Sequence, residues 1–456
     1  MRYAYLLNYS VSGIKTLDKL ISLSFYKKTI SKELDMQDYN VKGIYGMNGS
    51  GKSAIVNSVE ILRNLLADSD YLSNPIAQSN LDAIINKKTK ELFIETDYIT
   101  KDQSGIQYYR YSITLSKDLL GKYVISHEIL LNKKYTSRSN KMFTVFEVTN
   151  GEIKFPFENE VSKFLEKKTM NLLLTASTSS LFFEKVLLQN RVSENIKGIN
   201  DANEKKLYTS LVDSCIFGRQ LYVYLDESDS HREYIAQKSL IRYLNGEEGE
   251  SVVNDYLQLK DDYINVVHIT QNVIPKSIYI EFEKTIDKLY EFLHIFKNDL
   301  QSIEIDKKEN HEFWLCDLVM NYGNYKIHAE YESTGIKKLI KLFAYLKEMA
   351  QGAILFIDEF DSNLHDVYLC ALLEYLMEYG EGQLCFTTHN VGPMDVLKHH
   401  KKSIEFLSEN HKIYPWVKRG PYSPSKLYRN GMIEGSPFNI GSIDFIGVFS
   451  TNEGDE

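Results

Sequence analysis

Gly46-Met47-Asn48-Gly49-Ser50-Gly51-Lys52-Ser53 is the stretch that decides the fold. It is a complete G-x-x-x-x-G-K-S. Its glycines let the backbone curl until successive N–H groups of Asn48, Gly49, Ser50 and Gly51 face a phosphate chain at a helix N-terminus. Lys52 is then placed to reach β- and γ-phosphates, and the Ser53 hydroxyl to ligate Mg²⁺. Such a loop needs a strand running in and a helix running out. Val41 to Tyr45 has strand length, and from Ala54 to Ala67 the residues Ile55, Val59, Leu62 and Leu66 recur at helical spacing.

Working outward, Tyr3 to Tyr9 and Leu20 to Tyr26 read as opening strands. Between Leu92 and Phe155 the pattern is strand-like and often alternating, in five segments divided by turn residues. These predict an antiparallel β layer. From about 157 to 296 helical spacing prevails, as in Glu160 to Lys168, Glu204 to Leu211 and Tyr279 to Phe296. Strand periodicity returns at Ser302 to Ile305 and Tyr325 to Tyr331. A helix then opens near Thr334, and apolar strands run Ala353 to Ile357 and Leu384 to Thr387, with a helix after Leu364. The expected fold is α/β, with a mixed-sheet core plus the antiparallel layer. The core is split between 1–155 and 320–456, around a mostly helical insertion at 156–319.

The second half carries the complementary chemistry. Ala353-Ile354-Leu355-Phe356-Ile357 ends in Asp358-Glu359. A buried strand delivering an Asp at its C-terminal edge places a second Mg²⁺ anchor, and the neighbouring Glu359 can orient or deprotonate a water. Gln383 to Thr388 repeats the pattern and ends in His389, positioned to meet a γ-phosphate or the attacking water. Glu332-Ser333-Thr334-Gly335 opens an amphipathic helix. By itself it reads as an ordinary N-cap.

In order and spacing, these four motifs resemble the Walker A, signature, Walker B with D-loop, and switch histidine of ABC-type P-loop NTPases. More narrowly, the chain is similar to the stand-alone ABC-type AAA ATPases of bacterial phage-defence and abortive-infection systems, relatives of the OLD, RecF and SMC proteins. Gly43 to Ser53, Glu332 to Gly335, Asp358 to His365 and Phe386 to Asn390 carry that likeness, with Gly13-Ile14-Lys15 and Leu23-Ser24-Phe25 as the opening strands. The resemblance implies that ATP and Mg²⁺ are bound by Lys52, Ser53 and Asp358. It makes Glu359 the catalytic base and His389 the γ-phosphate sensor. Ser333 and Gly335 would touch the nucleotide of a second protomer, with Asp361 in the D-loop facing it. ATP would thus close a homodimer or larger homo-oligomer with composite sites. The signature departs from Leu-Ser-Gly-Gly-Gln, leaving Lys337 or Lys338 as an alternative source of charge. Gln78, Gln103 and Gln107 are equal candidates for the Q-loop.

Composition narrows the function. The chain has 456 residues, 43% hydrophobic and 25% charged, with a net charge of −9. That is globular, and no overall polyanion binder. Its four cysteines show no metal spacing, and its 32 tyrosines suggest genome bias more than base stacking. No apolar run spans a bilayer and the start lacks a signal-peptide core, so a cytoplasmic protein without a membrane is expected. The stretch after His389 is too short for an OLD-type Toprim nuclease, so the expected partner is a separate effector, a nuclease in trans. The tail from Leu427 to Gly447 is either a packed surface segment or its docking site. The alternative is a RecF/SMC-like DNA-repair ATPase, which would need Lys27-Lys28, Lys87-Lys88 and Lys401-Lys402 to form a nucleic-acid groove. A transporter subunit fits poorly, because P-loop and signature lie far apart. A nucleotide switch with negligible turnover remains a fourth class.

Overall fold

The computed structural model describes residues 3–27, 36–68, 71–102, 105–135, 141–158, 163, 202–225, 267–417 and 421–436. The P-loop strand β3 (Val41–Gly46) is central in a six-stranded sheet. β3 lies between β15 (Gln383–Thr387) and β16 (Ile404–Leu407), both parallel to it. Beyond β15 come β14 (Ile354–Ile357) and then β9 (Leu221–Tyr224), also parallel. The antiparallel β17 (Ile413–Pro415) closes the other edge. Period-two burial on both faces accounts for the apolar runs. In β14, Ile354 and Phe356 face one core while Leu355 and Ile357 face another.

The first core lies under a seven-stranded antiparallel sheet. It joins β1 (Tyr3–Ser12), β2 (Ile21–Ser24), β4 (Glu91–Asp102), β5 (Gly105–Lys117), β6 (Tyr123–Lys134), β7 (Phe143–Thr149) and β8 (Glu152–Lys154) in the order β2-β1-β4-β5-β6-β7-β8. This is the β layer expected from the sequence. Its apolar face (Tyr9, Val11, Ile94, Tyr98, Tyr111) packs on α1 (Lys52–Ala67), through Ile55, Val59 and Leu62. After α2 (Pro75–Ile84) comes α3 (Ala202–Arg219), which adds Leu207, Leu211 and Phe217 to the same core.

Among the described residues of the expected helical insertion, strands stand beside helices. Glu160 to Lys168 lies outside the described residues, apart from Lys163. Within 156–319, α3 and α4 (Tyr279–Phe296) are helical. However, β9 is a strand of the core sheet itself, and β10 (Asn272–Pro275), β11 (Ser302–Asn310) and β12 (Phe313–Asn321) form a further antiparallel sheet, joined by β13 (Lys326–His328). The third core packs α4 and α5 (Thr334–Ala350) against this sheet, through Phe282, Leu289, Leu318, Met320 and Ile340. The other face of α5, with α6 (Asp366–Tyr379) and α7 (Gly392–Leu397), covers the second core. A short α8 (Pro424–Arg429) follows. Tail residues 437–447 lie outside the described residues.

Candidate nucleotide-binding site

The loop between β3 and α1 turns through two glycines with positive φ, Gly49 at 77° and Gly51 at 104°. Position 51 tolerates nothing larger: a Cβ there would stand 2.6 Å from Leu17 Cδ2 on the β1–β2 turn. Gly51 is also the N-cap of α1 and brings no capping side chain, so the first-turn amides are left for an anion. Ser50 is buried, and its Oγ has no hydrogen-bond partner.

A cleft of about 610 Å³, in the size range of small-molecule sites, opens over this loop. It is lined by Asn48, Gly49, Gly51, Lys52 and Ser53 from the loop, by Lys15 and Thr16 from the β1–β2 turn, and by Glu359, Thr387 and His389 from the ends of β14 and β15. The cleft thus gathers most of the residues singled out in the sequence. Ser333 and Gly335 are not among its lining; they lie at the start of α5, beside Asn363. Asp361 is half-buried on the turn after β14, and its Oδ1 has no hydrogen-bond partner.

Lys52 is only 6% exposed and donates to the carbonyls of Gly46 (2.7 Å) and Met47 (3.0 Å). Burial pushes its ammonium down to about 8, against the pull of Asp358, Glu359 and Asp361. His389 is shifted below the ordinary imidazole value by burial and then by Lys52, with the same three carboxylates opposing. The site therefore has a semi-buried cation facing several acids, a pattern typical of functional clefts.

Thr387, which the sequence reading passed over, joins these parts. Its hydroxyl donates to Asp358 Oδ1 (2.5 Å) and accepts from the Glu359 amide (2.9 Å), and its carbonyl accepts from the Phe360 amide (3.0 Å). The end of β15 thereby fixes the acidic turn after β14. Lys15 and Thr16 also line the cleft, and only Lys15 belongs to a motif visible in the sequence.

Gln78 and Gln107 do not line the cleft. The Gln78 amide bonds to Leu72 O and Tyr123 O, and its carbonyl accepts from the Tyr123 amide. Gln107 lies on β5, and Gln103 is outside the described residues. Among the described residues, no group of three or more His, Cys, Asp or Glu side chains could hold a metal ion, and no helix is long and apolar enough to cross a membrane.

No curated protein matches this chain. Among solved structures, that of the recombination mediator protein RecF-ATPrS in the RecFOR pathway is similar, with a TM-score of 0.37 and 14% identity, over 91% of this chain and 99% of that one. The model of the AAA ATPase domain matches residues 20–392, well over half of the sequence, and the chain therefore belongs to the AAA ATPase domain family.

Proposed function

We propose that the chain hydrolyses ATP with Mg²⁺ in this cleft, as half of a composite site that a second copy completes. We further propose that closure of the pair senses infection or gates a separate effector, a nuclease in antiviral defence. The observation that carries the reading is the convergence of Lys52, Ser53, Glu359 and His389 on one cleft from sequence positions far apart.

The donor set fits the ligands. Ser53 in the cleft lining, and Asp358, which is outside that lining but accepts from its Thr387, would offer one hydroxyl and one carboxylate, hard oxygens of the kind Mg²⁺ takes. Mg²⁺, when bound, supplies charge neutralisation along the phosphates. Lys52 would leave the Gly46 and Met47 carbonyls for the β- and γ-phosphates. Glu359 would hold and deprotonate the attacking water, and His389, neutral near pH 7, would bond the γ-phosphate. Ser333 and Gly335 lie outside the lining of their own cleft, which supports a role toward a second copy, with Asp361 beside it on the D-loop.

The effector reading is supported by the resemblance to defence ATPases. For the DNA-repair reading, the lysine doublets give less support. Lys88 pairs with Asp18 at 2.6 Å, Lys401 with Asp38, Lys87 with Asp82, and Lys402 bonds Ser24 Oγ and Tyr26 O. Lys28 is outside the described residues.

Light scattering with and without Mg-ATP, alongside phosphate release, tests the proposal. The expected result is a doubling of mass, or more, only with Mg-ATP, and steady turnover. If mass and phosphate release both ignore Mg-ATP, the composite-site reading is wrong.

Lys52 adds a pH signature. Phosphates beside it raise its proton affinity again, so binding takes up a proton wherever the free ammonium is already deprotonating. Affinity for Mg-ATP is expected to be level below about pH 7 and to weaken by up to about tenfold per pH unit well above 8. Calorimetry in buffers of different ionisation heat should show proton uptake above that pH and none well below it. Affinity that is level throughout would detach Lys52 from the phosphates.

A further inference from the structure

Lys338 lies on the second turn of α5, one turn beyond Gly335, and is 4% exposed. Its ammonium donates to the Glu359 carbonyl at 2.6 Å and to the Ser362 hydroxyl. Glu359 has φ +48° and Asn363 φ +61°, so two non-glycine residues in the left-handed region bracket the turn after β14. Such residues are strained and persist only where their surroundings hold them. Thr387 holds this turn from one side, as described. The start of α5 holds it from the other: a Cβ at Gly335 would come 2.6 Å from the Asn363 carbonyl, and the Thr334 hydroxyl lies 3.3 Å from Asn363 Oδ1. A buried ammonium is costly to desolvate and would be a poor choice for a packing role alone.

We infer that Lys338 is a positioning residue for hydrolysis. It holds the Glu359 backbone in its left-handed turn, which keeps the carboxylate at the cleft, and it ties that backbone to the helix whose start carries Ser333 and Gly335. In the proposed pair, a nucleotide engaged at Ser333 and Gly335 would thereby steady Glu359 of the same chain, whose own cleft is the other site. Occupancy of one site then favours hydrolysis at its twin. The inference rests on the reading of Glu359 as the residue that activates water.

Lys338→Met keeps the chain length and removes the donors. In the full chain with Mg-ATP, kcat is expected to fall roughly 10- to 100-fold, the size of effect that follows from misplacing a reacting group. Affinity for a fluorescent ATP analogue should stay within about twofold, because ground-state binding does not use Glu359. Lys338→Arg, which retains charge and donors, should recover part of kcat. Adding Lys338→Met to Glu359→Gln should lower turnover no further. A Met variant with wild-type kcat overturns the inference while leaving Glu359 in place. So does one whose kcat, analogue affinity and melting midpoint fall together, the pattern of a purely structural residue. If Glu359→Gln itself turns over normally, the reading of Glu359 fails and the role of Lys338 fails with it. Should the Met variant not fold, Ser362→Ala, which removes the hydroxyl acceptor, is to show a smaller kcat loss at unchanged affinity; unchanged kcat there also overturns it.

Discussion

Glu359→Gln is expected to bind Mg-ATP as tightly as the wild type, to accumulate as a closed pair, and to release phosphate at least about 100-fold more slowly, the usual contribution of a positioned base. The substitution keeps size and shape. The Glu359 amide should still reach Thr387 and the carbonyl still accept from Lys338, since both contacts belong to the backbone. What disappears is one negative charge and one proton acceptor at the cleft. Loss of that charge has a second effect. Glu359 is one of the three acids that hold the Lys52 proton in place, so in the variant Lys52 falls further and its affinity loss begins at lower pH. Single-turnover quenching, light scattering and a pH series of binding read the three consequences separately. Turnover within about threefold of wild type would remove Glu359 from the mechanism and favour a nucleotide switch.

The largest expected stability effect lies under the P-loop strand. Lys42 on β3 and Glu405 on β16 form an ion pair at 2.9 Å whose side chains are 2% and 5% exposed. The ammonium also donates to the Lys402 carbonyl and lies 5.5 Å from the centre of the Phe25 ring. Glu405→Ala would leave that ammonium buried with its charge uncompensated. A loss of about 3–5 kcal/mol is expected, whereas Lys42→Met with Glu405→Leu should fall within about 2 kcal/mol of wild type or exceed it. Urea unfolding of the nucleotide-free protein measures both. If the single variant is as stable as the double one, the pair is not the constraint on β3 that its burial implies.

Much of the site could be read from the sequence because its chemistry is local: the glycine loop between strand and helix, the acids at one strand end and the histidine at another. Each is set by a few adjacent residues. Contacts made by distant residues were harder to read. Thr387 looks like one more polar residue at a strand end, and only the register of β14 against β15 brings it to the Asp358 and Glu359 backbone. Lys338 belongs to a lysine doublet on an amphipathic helix, which reads as a solvated face. Its burial follows from the turn after β14 folding over it. β9 escaped for another reason. Leu221-Tyr222-Val223-Tyr224 is four residues long and follows directly on a helix, too short for alternation to declare itself. Its place in the sheet comes from pairing with β14. The antiparallel layer, whose strands are long and mostly joined by short turns, was legible nearly throughout.

The strand order of the six-stranded sheet also sets a timetable for synthesis. Among the described residues β3 is hydrogen-bonded to β15 and β16, so the strand that carries the phosphate loop emerges from the ribosome long before either exists. Between Gly46 and Gln383 the delay is roughly 20–70 s at ~5–20 residues per second. During that interval the β4–β5–β6–β7–β8 meander can close from neighbouring segments, while β3 waits with both edges open. Newly made chains therefore pass through a state in which one half of the molecule is built and the nucleotide cleft has no far wall. ATP cannot assist folding until β15 and β16 have been made, and a nascent chain stalled before Gln383 should bind chaperones and not nucleotide.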